Sequence, residues 1–232
     1  MKDDVVIIIP SYNPDKKLIE VVETLLKNNY SNIILINDGS NKDDIFNMLP
    51  NQVVVLTHTT NLGKGAGLKT GFTYCLHNIK HLKGVITIDD DDQHKITDIN
   101  KVYYNSTENG IVLGSRNFNN KNVPFKSKIG NLIMSRLISI AYKINIQDSQ
   151  TGLRFIPYNL LDKFLTIPGS RFEYEMNMLL YCIKNNIFIK HVEIETVYFE
   201  NNSGSHFKPI IDSFKILFNT ISAICKNRKQ KD

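Results

Sequence analysis

Hydrophobic positions along the first half of the chain follow two patterns in alternation. Short apolar runs at residues 5–9, 33–36, 53–56, 85–88 and 111–113 read as strands. Between the first two, Leu18, Val21, Val22, Leu25 and Leu26 recur at helical spacing, and further helices are predicted near 44–49, 64–79 and 97–104. Runs that are apolar on both faces and alternate with helices predict a mostly parallel central sheet flanked by helices, an α/β Rossmann-like architecture. The second half reads differently. The spacing predicts a helix over 131–144 with Leu132, Ile133, Leu137, Ile138 and Ala141 on one stripe. It also predicts a helix over 172–183, one or two strands within 187–198, and a terminal amphipathic helix over 209–225. In that last helix Ile210, Phe214, Leu217, Phe218, Ile221 and Cys225 share a face. Residues 201–205, Asn-Asn-Ser-Gly-Ser, read as a loop. With no internal repeat and no low-complexity linker, a single domain is the economical expectation.

Composition narrows the class. At 232 residues and 42% hydrophobic, the chain can bury a large core and is not a disordered polymer. Cys75, Cys182 and Cys225 are widely spaced and odd in number, which argues against a disulfide framework or a zinc cluster and for a reducing compartment. No run approaches the ~18 apolar residues needed to span a bilayer, and the apolar start is shorter than a signal-peptide core. The expectation is a cytoplasmic protein, soluble or peripheral on the inner face of the plasma membrane. The net charge of +5 is scattered except for Lys226, Arg228, Lys229 and Lys231 in the tail. Nucleic-acid binders carry a denser basic stripe with interleaved aromatics. The excess suits an anionic small molecule instead, with the terminal helix and tail either packing on the core or resting on an anionic bilayer.

The chemistry concentrates where the predicted strands end, which is where open α/β sheets bind ligands. Strand one runs into Pro10-Ser11-Tyr12-Asn13-Pro14 and strand two into Asn37-Asp38-Gly39-Ser40. Strand three leads to Asn61-Leu62-Gly63-Lys64-Gly65, strand four to Asp89-Asp90-Asp91-Asp92-Gln93-His94, and strand five to Gly114-Ser115-Arg116. Asp89 and Asp91, at i and i+2, have the spacing to hold one hard divalent cation together with phosphate oxygens. An unpaired run of four aspartates is otherwise a solvated acidic loop whose charges repel one another. Neither a P-loop nor a dinucleotide fingerprint is present.

Taken in order, these motifs, together with Asp148-Ser149-Gln150-Thr151-Gly152-Leu153-Arg154, resemble the family 2 glycosyltransferases of the GT-A fold. The nearest subgroup is that of the dolichyl-phosphate-mannose-synthase-like enzymes, which load sugars onto polyprenyl phosphates. The family often carries an acidic residue after Tyr-Asn, where this chain has Pro14. The resemblance implies one GT-A domain with a nucleotide-sugar half (about 1–116), an acceptor half (about 117–205) and a terminal helix with basic tail (206–232). Pro10, Tyr12, Asn13, Asp38, Asn61, Lys64, Asp89 and Asp90 would contact the nucleotide, with Asp38 on the base. Asp89, Asp91 and Gln93 would hold Mg²⁺ or Mn²⁺ on the diphosphate, and His206 and Lys208 would lie on a loop closing over it. Arg116, Lys126, Lys128 and Ser135 would receive the acceptor. Asp91, Arg116, Asp148 and Glu175 are the implied catalytic residues.

The reaction implied is an inverting transfer from a UDP- or GDP-sugar. A phosphate acceptor is largely anionic already and needs no base. A glycan or teichoic-type hydroxyl would need one, from Asp148, Glu173 or Glu175. Asp148 could instead cap a turn, Glu173 and Glu175 could be exposed helix positions, and Arg154 could pair with one of these carboxylates. His94 could ligate the metal or support its loop. Two other readings compete: a non-catalytic nucleotide-binding protein, and a sugar nucleotidyltransferase. The intact Asp89 and Asp91 speak against the first. The second needs a Gly-rich loop with Arg after strand one, which residues 10–14 lack.

Overall fold

A computed structural model describes residues 2–41, 44–118 and 125–195, with side chains from Asn131 onward in the last segment. The predicted 209–225 helix, the 201–205 loop, His206, Lys208 and the basic tail lie outside these residues, as do the side chains of Lys126 and Lys128.

The elements run β1 (Val5–Ser11), α1 (Lys17–Lys27), β2 (Ile33–Asn37), α2 (Asp44–Asn47), β3 (Val54–Thr57), α3 (Lys64–Asn78), β4 (Gly84–Thr87), α4 (Ile96–Tyr104) and β5 (Gly110–Arg116). They continue with α5 (Phe125–Tyr142), β6 (Arg154–Pro157), α6 (Leu161–Leu165), α7 (Glu173–Lys184) and β7 (Phe188–Ile194). The described strands form one seven-stranded sheet in the order β3-β2-β1-β4-β6-β5-β7. β1 pairs in parallel with β2 and β4, β2 with β3, and β5 with β7. The order reverses at β1, so a crevice opens at the carboxyl ends of β1 and β4.

Alternation along β1 divides the core between the two faces of the sheet. Val5, Ile7 and Ile9 point to the side covered by Leu18, Val22 and Leu25 of α1 and by Ile99 and Val102 of α4. Val6 and Ile8 point to the side covered by Leu68, Phe72 and Cys75 of α3 and by Tyr174 and Leu179 of α7. Residues 5–9 are therefore apolar throughout because neither face meets water.

Three expectations change. β3 is an edge strand with partly exposed residues, Val55 at 36%, and is not apolar on both faces. α5 turns a different stripe inward from the one its leucines suggested. Asn131, Met134, Ser135 and Ile138 are buried, whereas Leu132 (47%), Ile133 (50%), Leu137 (36%) and Ile140 (72%) face outward. The third concerns β6, a strand absent from the sequence reading. It lies antiparallel between β4 and β5, with Arg154 opposite both Thr87 and Leu113. Because β6 runs backwards, the loop that enters it, residues 148–153, lies at the same sheet edge as the carboxyl ends of β4 and β5.

Candidate active site

At that edge a ladder of charges joins four parts of the chain. Lys64, the first residue of α3, places its Nζ 2.6 Å from Asp89 Oδ1 and 2.8 Å from Glu175 Oε2. Arg154, 1% exposed, donates from Nη1 to the Glu175 carbonyl at 2.6 Å and from Nε to the Thr151 carbonyl at 2.8 Å. Its Nε also lies 3.9 Å from Glu175 Oε1. His94 Nε2 approaches Asp89 Oδ2 at 3.3 Å, so His94 supports the acidic loop through its first aspartate. Gly152 packs against the Asp89 carboxylate so closely that a Cβ there would collide with it.

These neighbours divide the acidic run. Burial alone would raise the pKa of Asp89, but the Lys64 charge and the His94 contact outweigh it and hold the group well below the usual carboxylate range. On Asp90 the Lys64 charge is the weakest of the opposing influences. Burial and the Asp89 charge push it up to about 6, against the opposing hydrogen bond from Ser11 Oγ. Asp91 is likewise pushed up to about 6 by burial and the Asp89 charge, and its Oδ1 accepts the Gln93 amide at 3.2 Å.

The donor set fits a hard divalent cation. Asp90 and Asp91 are oxygen donors destabilised as anions, which a bound cation would reverse. Among the described residues no group of three or more His, Cys, Asp and Glu is arranged to hold a metal ion. Mg²⁺ and Mn²⁺ commonly take one or two carboxylates and complete their shell with phosphate oxygens and water.

Beside this loop, Arg116 ends β5 and clasps Asp148. Its Nε donates to Oδ2 at 2.6 Å, its Nη2 to Oδ1 at 3.0 Å, and its backbone N–H to Oδ2 at 3.2 Å. Asn131 Nδ2 and the Gln150 N–H add bonds to Oδ1 at 2.8 and 3.0 Å. Burial would raise Asp148, and Arg116 with these hydrogen bonds reverses the sign, so its pKa is lowered. Ser135 joins the network from behind, donating to Asn131 Oδ1 and Ser149 Oγ at 3.1 Å. It is 4% exposed and does not face the crevice.

On the other side of the crevice, loops after β1 and β2 are tied together. The Asn13 N–H donates to Ser40 Oγ at 2.9 Å, and Asn13 Oδ1 accepts the Asn41 amide at 2.8 Å. Pro10 is buried beneath Gly67 of α3, and Tyr12 is half-buried at the rim. Asn61 Oδ1 accepts from Arg171 Nη1 at 3.2 Å.

The family described as glycosyl transferase family 2 matches residues 6–173. The chain belongs to glycosyl transferase family 2. This glycosyltransferase is 31% identical over 226 residues to an uncharacterized protein of Methanocaldococcus jannaschii, covering 95% of this chain and 92% of the other. It is 30% identical over 237 residues to a UDP-N-acetylglucosamine–dolichyl-phosphate N-acetylglucosaminyltransferase of Methanococcus voltae, covering 91% and 92%. Its fold matches glucosyl-3-phosphoglycerate synthase of Mycobacterium tuberculosis, crystallised with Mn²⁺, UDP and glucosyl-3-phosphoglycerate. The TM-score is 0.69 at 12% identity, over 94% of this chain and 78% of that one. The sheet of the glycosyltransferase is thus a GT-A sheet.

Several expected roles change in the light of the geometry. Asp148 is not placed as a general base, because five donors surround its two oxygens; what it does is fix Arg116. Glu175 is not an exposed helix position but a buried partner of Lys64, and Arg154 pairs with it as anticipated. Glu173, the first residue of α7, holds the turn before the helix, its Oε1 accepting the Ser170 and Arg171 amides at 3.0 and 3.1 Å. Asp38 is 3% exposed and turned inward, accepting the Leu62 and Gly63 amides at 2.9 and 2.7 Å, so it anchors the loop of residues 61–65. Residues missed from sequence include Asn131 and His58, whose roles depend on partners 17 and 20 positions away.

Proposed function

We propose that this glycosyltransferase moves a sugar from a UDP-sugar to a polyprenyl phosphate, with inversion at the anomeric carbon and with Mg²⁺ or Mn²⁺. The observation that carries the reading is the state of the carboxylates. Of the three candidate bases for a hydroxyl acceptor, Asp148 and Glu175 are engaged in ion pairs and Glu173 accepts two backbone amides. A phosphate monoester does not need one, since its second pKa lies near ~6 and its oxygen is already a nucleophile. The name of the Methanococcus voltae relative, which joins a UDP-sugar donor to dolichyl phosphate, supports the same reading.

Residues 1–116 would bind the donor and the following segment the acceptor. Asp91, with Asp89 or Asp90, would hold the cation; when bound it neutralises charge growing on the departing diphosphate. Gln93 would complete that side of the loop. Lys64 keeps Asp89 in place, and Asn13, Asn61 and Asp38 shape the pocket that receives the nucleoside. Arg116, held rigid by Asp148, would bind the acceptor phosphate and present its oxygen to the sugar carbon. The new C–O bond forms as the bond to the diphosphate breaks through an oxocarbenium-like state.

A lipid acceptor also gives a reason for the outward face of α5. No described helix is long and apolar enough to cross a membrane. Leu132, Ile133, Leu137 and Ile140 would instead rest on an anionic bilayer from which the acceptor phosphate projects. The test is incubation of the purified protein with UDP-N-acetylglucosamine, UDP-glucose or GDP-mannose, Mn²⁺ and dolichyl or undecaprenyl phosphate. The expected result is an organic-soluble glycolipid formed from a UDP-sugar. Transfer only to soluble hydroxyl acceptors would overturn the reading.

A further inference from the structure

Beneath the loop of residues 61–65 lies a partly buried relay of three side chains, Asp38, His58 and Thr70. Asp38 follows β2, its N–H donating to the Ser11 carbonyl at 2.8 Å. His58 follows β3, its N–H donating to the Asn37 carbonyl at 2.9 Å, so the ring is anchored by its own backbone. His58 Nδ1 lies 2.7 Å from Asp38 Oδ1, and its Nε2 lies 2.8 Å from Thr70 Oγ1 on α3. The side chains of His58 and Asp38 are 10% and 4% exposed.

The direction of the relay follows from the acceptor. Asp38 accepts the Leu62 and Gly63 amides, and a carboxylate can only accept, so its contact with His58 Nδ1 needs a proton on that nitrogen. Nδ1 therefore carries the proton, and in the neutral ring Nε2 accepts the Thr70 hydroxyl. Leu62 shares Oδ1 with His58, so the ring fixes the rotation of the carboxylate that both loop amides need. Gly63 can turn its N–H toward Asp38 because its φ is +103°, and a Cβ there would lie 2.5 Å from the Ser170 carbonyl oxygen. The next residue is Lys64, whose ammonium must reach Asp89.

We propose that His58 is a positioning residue for the donor nucleotide: by holding Asp38 against the Leu62 and Gly63 amides, it sets the turn from which Lys64 reaches Asp89. The proposal rests on the donor reading above. Its consequence falls first on donor binding, because His58 contacts Asp38 and Thr70 and reaches the acidic loop only through the turn that carries Lys64.

The test compares three substitutions by calorimetric titration with UDP and with GDP in the presence of Mn²⁺, and by the KM and kcat for the donor. Asn at position 58 carries an amide N–H near Nδ1 and can still serve Asp38. Gln reaches Thr70 instead, and Leu serves neither. H58L and H58Q are expected to weaken nucleotide binding about tenfold, the scale of one lost hydrogen bond to a charged group. H58N is expected to stay within roughly threefold of the wild type. KM for the donor should rise by a larger factor than kcat falls. If H58L does not fold, H58Q against H58N makes the same comparison. Wild-type binding by H58L or H58Q, or an H58N as weak as H58Q, overturns the proposal. A wild type that binds neither nucleotide would instead overturn the donor reading itself, and the proposal with it.

Discussion

Lys64 Nζ bridges Asp89 and Glu175 at 2.6 and 2.8 Å, joining the loop after β4 to α7 through the first residue of α3. One ammonium thus compensates two carboxylates at the floor of the site, and burial alone would have lowered its pKa; the two carboxylates raise it instead. Replacing Lys64 with Met leaves two like charges facing each other in a largely buried setting. The expected loss of stability is about 3–5 kcal/mol by urea denaturation. Adding Glu175→Gln to that variant should recover part of it, because one of the stranded charges is gone. Additive losses from the two changes would count against a shared ion pair.

Asp91→Asn separates the metal role from a folding role. The substitution removes a carboxylate that burial and Asp89 already disfavour. Fold stability without metal should therefore hold, while the Mn²⁺-dependent rise in Tm and donor turnover are lost, turnover by at least about 100-fold. Full turnover in D91N would remove Asp91 from the metal set.

Gly152→Ala tests the close approach of the β6 entry loop to the acidic loop. The added methyl meets the Asp89 carboxylate, which cannot retreat without leaving Lys64. Overpacking of this kind costs about 1–3 kcal/mol. Activity should fall more than stability, since the displaced group belongs to the acidic loop. Measuring kcat/KM beside Tm makes the comparison.

The Arg116–Asp148 pair sets a pH dependence of stability. The folded-state pKa of Asp148 is lowered, so its contribution is fully present above the ordinary carboxylate value of ~3.9 and is lost as pH falls through the folded value. The stability difference between wild type and Asp148→Asn should be constant from neutral pH to about 5 and then narrow on acidification. Denaturation midpoints for both proteins between about pH 7 and 2 would show it. A gap that widens in acid would contradict the pairing.

The exposed face of α5 makes the lipid reading measurable. Ile133→Asp with Ile140→Asp places two charges on positions 50% and 72% exposed. Folding should be unaffected, while flotation with anionic liposomes should drop severalfold relative to wild type, in line with lost apolar insertion. Equal flotation of both proteins would transfer that role elsewhere in the chain.

Much of the donor side was legible along the chain. Residues 5–9, 33–36 and 85–88 announce buried strands because both faces are covered, and each is followed by the polar group that the crevice uses. The acidic loop could be found from spacing alone. Three readings went astray for physical reasons. A strand of four residues, Arg154–Pro157, is too short to show a period. The leucines of α5 look like core because apolar residues on an outward helix face and in a core have the same composition. Asp38 looks like a base contact, and Asp148 and Glu175 like reactive carboxylates, because a residue's partner leaves no local mark.

The sequence by itself determined the alternation of strands and helices, the family, and which polar loops follow the strands, since these follow from hydrophobic period and from motifs a few residues long. Only the tertiary structure decided how the charges pair. β6 runs antiparallel between β4 and β5, so it brings residues 148–153 beside Asp89 and Arg116, and α7 brings Glu175 to Lys64. Partners 25 to 111 positions apart meet only when the sheet is assembled. Whether a carboxylate is free to react depends on that meeting, because a buried charge takes its properties from its nearest opposite charge and not from its neighbours in the chain.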